Sequence, residues 1–156
     1  MLVLGLGLQR LLTSPPVAAA VADPQALKRA RPIVQASAQT YAHLVYRGDK
    51  AVLFSDSGQA FLMYAFHGRT GVSMGDPVGD EAGVRELAWR FREICDRAGM
   101  WCAFFEVGPQ RRELYASLGL ALTPLGSEAR VDLRQFTLDD PAYKGLRHER
   151  SRLARQ

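Results

Sequence analysis

Basic side chains near the C-terminus are the strongest chemical signal in the sequence. They follow Pro141, which is typical of the first position of a helix, and they recur at close spacing: Lys144, Arg147, Arg150, Arg152 and Arg155. Helical spacing predicts that Lys144, Arg147, Arg152 and Arg155 point roughly together. Clustered cations repel one another unless anions lie opposite, and arginine suits bidentate contact with phosphate. The pattern predicts a phosphate-binding surface; a solvated helix end, or pairing with acidic residues elsewhere, stays open as the alternative.

Two further segments contain groups that could take part in catalysis or anion binding. Glu106 ends an apolar stretch beside Gly108, where a carboxylate could serve as a general base, although a hydrogen-bonded carboxylate at a strand end is the favoured interpretation. The loop Gly75–Asp80 lies between a predicted strand and a predicted helix, a place where backbone N–H groups can hold a diphosphate. Asp76 puts a negative charge there and Pro77 lacks an N–H. We therefore expect a structural turn, with Asp80 capping the helix.

Other kinds of site have little support. His43, His67 and His148 are scattered, and no metal-binding His or Cys spacing occurs, so no metal site is expected. No G-x-S-x-G nucleophile motif is present. Cys95 and Cys102 fall in apolar segments and are predicted to be buried, reduced thiols.

Charge divides the 156 residues into three parts. The net charge is +4 over residues 1–47, −4 over 48–140 and +4 over 141–156. A general nucleic-acid-binding surface is therefore a poor explanation of the basic total. The run from Met1 to Leu8 is too short to span a bilayer. It is interpreted either as the last turns of a longer apolar helix at a cytoplasmic membrane face or as a frayed N-terminus without a membrane role.

Hydrophobic periodicity predicts the order of the elements. Asp23 is predicted to cap a helix that reaches about Thr40 and is kinked or split at Pro32. The segments that follow are three strands (51–55, 60–66 and 70–74), a long helix from about 80 to 98, a buried central strand (101–107), a short helix (109–118), two strands (120–125 and 129–133) and a final basic helix from 141. This order predicts an α/β fold with a mixed, mostly antiparallel sheet flanked by helices. It is the order of the GNAT-type acyltransferase fold without its usual first strand.

An ordered set of short segments resembles one family. The segments are Gly48–Lys50, Leu53–Ser55, Ala60–Tyr64, Gly75–Gly79, Trp89–Glu93 with Cys95-Asp96, Phe105–Val107, Leu114-Tyr115, Leu118–Leu120, Gly126–Val131 and Lys144–Arg147. They resemble the cytosolic C-terminal part of bacterial phosphatidylglycerol lysyltransferases, also called aminoacyl-phosphatidylglycerol synthases or multiple peptide resistance factors. The resemblance extends over roughly residues 23–155.

The resemblance implies a function and an organisation. The family joins a membrane domain to two GNAT-like lobes and moves a lysyl or alanyl group from charged tRNA to phosphatidylglycerol, which alters membrane charge and resistance to cationic peptides. Residues 1–22 would then be a membrane-proximal start and linker, 23–140 the first lobe, and 141–156 part of a basic interlobe helix. The expected partners are aminoacyl-tRNA, the phosphatidylglycerol membrane, the second lobe and the transmembrane domain, at the cytoplasmic face of the membrane. No cofactor is expected.

Two other functions stay open. One is a stand-alone N-acyltransferase that uses acyl-coenzyme A, which the altered Gly75–Asp80 loop disfavours. The other is a non-catalytic lobe that docks tRNA or an anionic membrane. Since the resemblance places much of the aminoacyl-binding site in the second lobe, residues 1–156 alone are expected to be inactive.

Overall fold

A computed structural model describes residues 21–129, 131–132, 134 and 136–155. Its helices are α1 (Pro24–Ala36), α2 (Glu81–Arg97), α3 (Arg112–Ser117) and α4 (Lys144–Leu153), with 3-10 helices at Thr40–Arg47, Pro109–Arg111 and Pro141–Tyr143. Its strands are β1 (Ala51–Phe54), β2 (Ala60–His67), β3 (Thr70–Met74), β4 (Val78–Gly79) and β5 (Trp101–Phe105). The chain divides into two compact units, 1–123 and 124–156.

One mixed sheet organises the first unit. Strands β1, β2 and β3 form an antiparallel meander, and β4 pairs with the start of β2. Strand β5 runs parallel to β3, in a register that places Gly71 opposite Cys102 and Met74 opposite Phe105. Helix α2 makes the crossover between these parallel strands, as parallel pairing requires. The predicted fold class, mixed and mostly antiparallel with flanking helices, is confirmed.

Helices cover both faces of this sheet. On one face, α1 and the 3-10 helix at Thr40–Arg47 pack on Phe61 and Met63. On the other face, Leu87, Phe91 and Cys95 of α2 pack on alternate residues of β2 and β5. A third cluster joins α2 to α3 around Leu114 and Tyr115. This packing fixes the positions of β3 and β5, and with them the starting points of the loops at their ends.

The first helical region differs from the prediction in length and continuity. Asp23 is confirmed as the N-cap, because its Oδ1 accepts a 2.6 Å hydrogen bond from the Ala26 amide. Helix α1 continues through Pro32 as one element and ends at Ala36. Pro32 therefore does not split the helix, and the segment at Thr40–Arg47 forms a separate 3-10 helix.

Strand β5 is not at the central position predicted from its apolar composition. Among the described residues β3 is its only neighbour, and Trp101 is 78% exposed. Its alternate residues Cys102 and Phe104 pack against the α2 cluster. A continuous apolar run conceals this alternation, because inward and outward positions have the same hydrophobic character.

The two strands predicted after α3 are absent from the described residues. Leu120 and Leu122 instead pack against the α2–α3 cluster as an extended segment, and Leu125 is exposed. Of the second predicted strand, 130 and 133 lie outside the described residues. Asp132 forms a turn, because its Oδ1 accepts a 3.0 Å hydrogen bond from the Arg134 amide. A side chain that bonds the backbone two residues ahead competes with strand pairing.

Candidate functional site

The Gly75–Asp80 loop connects β3 to α2 and is fixed at both ends. The Gly75 amide donates a 2.7 Å hydrogen bond to the Phe105 carbonyl at the end of β5. Val78 and Gly79 form β4 and pair with Phe61 and Ala60. The loop therefore links the end of β3 to the end of β5.

Asp76 holds this junction together. Its side chain is nearly buried, with Oδ1 accepting a 2.6 Å hydrogen bond from the Tyr115 hydroxyl and Oδ2 accepting a 3.0 Å bond from the Gly108 amide. Its carbonyl accepts a 3.2 Å bond from the Tyr41 hydroxyl. Burial, and next the charge of Asp76, raise the pKa of Tyr115 far above its ordinary value, so its hydroxyl remains a donor.

The loop geometry favours a structural role over diphosphate binding. The donors that surround Asp76 are engaged by its carboxylate, and a phosphate placed there would meet that negative charge. Asp80 occupies the N-cap position of α2, but its side chain makes no capping hydrogen bond, so the predicted side-chain cap is wrong. The Val84 amide bonds the Asp80 carbonyl instead, at 2.9 Å.

Glu106 lies directly after β5 and has an unusual backbone. Its φ is 58°, in the left-handed region that residues other than glycine seldom adopt. The side chain is exposed, and the described residues provide it with no hydrogen-bond or ion-pair partner. The favoured interpretation, a hydrogen-bonded strand-end carboxylate, is therefore wrong for the described part of the chain. Its role as a general base stays a prediction, because none of the described residues provides a group that orients it.

The predicted basic surface lies on and just beyond α4, in the second unit. Lys144, Arg147 and Arg152 lie on α4, and Arg155 follows its end at Leu153. At about 100° per residue, Arg147 and Arg152 lie about 140° apart with Lys144 and Arg155 between them. The four residues therefore span a broad sector of the helix instead of a narrow stripe.

Arg147 has a structural role that the sequence did not reveal. Its Nη1 donates to the Leu138 carbonyl and, at 2.6 Å, to the Asp140 carbonyl. Asp140 in turn caps the 3-10 helix at Pro141–Tyr143 through a 2.8 Å bond from the Ala142 amide. The turn residues Asp139-Asp140-Pro141 mark the start of the helix in the sequence, but they do not indicate that Arg147 bonds the carbonyls that precede it.

The other cations remain exposed. Arg152 pairs with Glu149 at 2.8 Å, and Arg155 Nε donates 3.0 Å to the Ser151 carbonyl. Within the described residues Lys144 has neither an ion pair nor a hydrogen bond. Exposed pairs of this kind contribute about 1 kcal/mol or less, so these side chains can exchange partners readily.

A surface cavity of about 440 Å³ lies beside the start of β5, and its lining includes none of the predicted site residues. Its lining includes Arg69, Arg92, Asp96, Trp101 and Cys102. Arg92 and Asp96 form a 2.9 Å ion pair one helical turn apart. The described residues contain no group of His, Cys, Asp or Glu side chains suited to a metal ion.

Comparisons with known proteins agree on one family. The family model described as "Phosphatidylglycerol lysyltransferase, C-terminal" matches residues 31–156. A phosphatidylglycerol lysyltransferase from Staphylococcus haemolyticus (strain JCSC1435) is 35% identical over 122 residues, which is 78% of this chain and 14% of that protein. One from Staphylococcus aureus (strain MRSA252) is 36% identical over 106 residues, 68% of this chain and 13% of that protein.

Two solved structures are similar in fold and sequence. The C-terminal domain (DUF2156) of an Agrobacterium fabrum protein assigned as a lysylphosphatidylglycerol synthetase is 41% identical, with a TM-score of 0.71 over 83% of this chain and 41% of that one. L-PGS from Bacillus licheniformis is 28% identical, with a TM-score of 0.69 over 89% of this chain and 42% of that one. The chain spans about one seventh of the curated relatives' length. It belongs to the phosphatidylglycerol lysyltransferase C-terminal family.

Proposed function

We propose that the chain is one GNAT-like lobe of an aminoacyltransferase that moves a lysyl or alanyl group from charged tRNA to phosphatidylglycerol. The family match and the short span relative to the curated relatives support this proposal. The complete enzyme would add a second lobe and a transmembrane domain and would act at the cytoplasmic face of the bacterial membrane. None of the helices within the described residues has the length and apolar character that a bilayer crossing needs.

The observation that carries the proposal is the exposed cationic sector around α4. Residues 141–156 contain five basic side chains and one acidic side chain, Glu149. Lys144, Arg152 and Arg155 are exposed, and their contacts among the described residues are local and weak. Both proposed substrates bring phosphates, and this sector offers the charge that phosphates require.

The proposed reaction is a transesterification and needs no cofactor. A glycerol hydroxyl oxygen attacks the carbonyl carbon of the aminoacyl ester, the bond to the ribose oxygen breaks, and the proton passes to a base and then to the ribose oxygen. Positioning of the hydroxyl and stabilisation of the oxyanion would lower its barrier. Glu106 is the candidate base in this lobe. We infer that residues 1–156 alone do not catalyse the reaction, since the second lobe would supply much of the aminoacyl site.

Charge reversal tests the cationic sector. In the full-length enzyme, Lys144→Glu combined with Arg155→Glu should lower the affinity for tRNA about tenfold or more and reduce the slope of log K against log salt by about 0.7–0.9 for each lost phosphate contact. Neither residue supports the Leu138–Asp140 turn. Filter binding across a salt series, with a parallel series on phosphatidylglycerol vesicles, measures both quantities.

A matched control separates local contact from net charge. Lys28→Glu with Arg97→Glu makes the same charge change at exposed residues of the first unit and should leave both slopes unchanged. Arg147→Glu, which also weakens tRNA or lipid binding if the proposal holds, is assayed separately because it removes the bonds to the Leu138 and Asp140 carbonyls. Binding that does not respond to salt would contradict an electrostatic role for the sector.

The buried Asp76 carboxylate argues against an acyl-coenzyme A-dependent N-acyltransferase. Because it occupies the donors at the junction of β3 and β5, calorimetric titration of the chain with acetyl-coenzyme A should show no binding. Micromolar binding would restore that alternative.

A non-catalytic docking lobe is the other alternative. It would be supported if the full-length enzyme binds tRNA and vesicles through α4 but transfer does not depend on this lobe.

A further inference from the structure

Two cysteines that the proposed transfer does not use lie side by side in the first unit. Cys95 is in the last turn of α2, and Cys102 is the second residue of β5 and packs against the cluster that contains Cys95. Gly71, opposite Cys102 in the ladder, leaves room for the Cys95 sulfur, since a Cβ at Gly71 would lie 2.5 Å from that Sγ. The Cys95 thiol therefore lies between its helix and the β3–β5 ladder, next to Cys102.

The two thiols differ in their access to solvent. Cys102 is half-buried and lines the cavity beside Trp101. Cys95 is fully buried. Cys102 is therefore the more accessible of the two thiols, and Cys95 is closed to a reagent in solution.

The contact between the thiols also affects their ionisation. The hydrogen bond from the Cys102 thiol lowers the pKa of Cys95, while burial and the Asp96 charge oppose this and the Arg92 charge assists it. The same hydrogen bond, and then burial, raise the pKa of Cys102. Cys95 therefore ionises more readily than Cys102, which suits it to attack a mixed disulfide formed at Cys102. A thiolate is the form that attacks disulfides.

We propose that Cys95 and Cys102 form a reversible intrachain disulfide by exchange with a small oxidised disulfide such as glutathione disulfide. The Cys102 thiol loses its proton to solvent, and its sulfur attacks one sulfur of the reagent and releases one thiolate, leaving a mixed disulfide at Cys102. The Cys95 thiolate then attacks the Cys102 sulfur and releases the second thiolate. Both cysteine protons leave with the two released thiols, so two protein thiols are oxidised and one reagent disulfide is reduced. The new bond links the end of α2 to β5 at the cavity wall.

The test uses the folded, full-length chain in glutathione buffers of graded oxidising ratio, followed by rapid alkylation and intact mass measurement. We expect the wild-type chain to lose two hydrogens and to accumulate no glutathione adduct, and excess reduced glutathione to reverse the loss. A chain that keeps both thiols at the most oxidising ratio, or that accumulates a stable adduct without the intrachain bond, would overturn the proposal.

Single variants assign the two roles. Cys95→Ser should trap one glutathione on Cys102, because the resolving thiol is missing. Cys102→Ser should leave Cys95 unmodified under the same conditions, because its sulfur is buried. Circular dichroism confirms that each variant is folded, and Cys→Ala variants repeat the assignment if a serine variant is not. Equal reaction of Cys95 in Cys102→Ser would contradict the entry role of Cys102.

Discussion

Asp76→Ala is expected to lower the free energy of unfolding by about 3 kcal/mol, because it leaves two donors around a buried site without their charged acceptor. The Tyr115 hydroxyl, 2.6 Å from Oδ1, is buried, and the Gly108 amide, 3.0 Å from Oδ2, is partly buried. Hydrogen bonds to a charged group contribute about 1.5–3 kcal/mol each, and removal of a buried charge recovers part of that cost. Urea denaturation followed by circular dichroism measures the change.

Two comparisons make this expectation specific. Asp56→Ala removes an aspartate whose side chain is 88% exposed and whose ion pair with Arg90 lies on the surface, so its cost should stay below about 1 kcal/mol. Tyr115→Phe should cost about 1–2 kcal/mol alone and less in the Asp76→Ala background, because the two side chains share one bond. Equal costs for Asp76→Ala and Asp56→Ala would show that the junction does not depend on the carboxylate.

The role of Asp76 shows where sequence reasoning reached its limit. Asp76 and Pro77 were sufficient to predict that the loop is not a diphosphate site, because a carboxylate and a missing N–H are local properties. Its partners, Gly108 and Tyr115, lie 32 and 39 residues away along the chain. The parallel pairing of β3 with β5 and the packing of α3 on α2 bring them together, and no spacing in the sequence encodes those contacts.

The helices and strands were predicted best where polar residues mark one face of an element or its ends. Helix α2 shows clear helical periodicity, and the β1–β3 meander has short polar turns, so both were identified. Strand β5 and the segment after α3 are apolar without clear alternation, and their burial depends on which neighbours are present. The cavity at Trp101 and the bonds of Arg147 to the preceding turn were not predicted either, because both depend on the folded arrangement of the chain.

The aromatic residues of α2 and β5 illustrate the same limit and lead to the second large effect. On α2 the helical repeat of apolar residues includes Phe91 and leaves out Trp89, whereas every residue of β5 is apolar. Phe91 and Phe104 are core residues, with ring centroids 5.5 Å apart. Trp89, Trp101 and Phe105 are exposed. Helical periodicity separated Trp89 from Phe91, whereas a fully apolar strand provided no such distinction.

Phe91→Ala is therefore expected to lower the free energy of unfolding by about 3–5 kcal/mol, the range for deletion of a buried phenylalanine. The ring is fully buried and contacts Tyr64 and Phe104, with centroids at 5.3 and 5.5 Å. Trp89→Ala, two positions away on α2, removes a larger side chain that is 48% exposed and should cost about 1 kcal/mol or less. Denaturation followed by circular dichroism avoids dependence on the tryptophan signal. If the two variants lost equal stability, side-chain size instead of burial would determine the cost, and the packing of α2 on the sheet described above would be wrong.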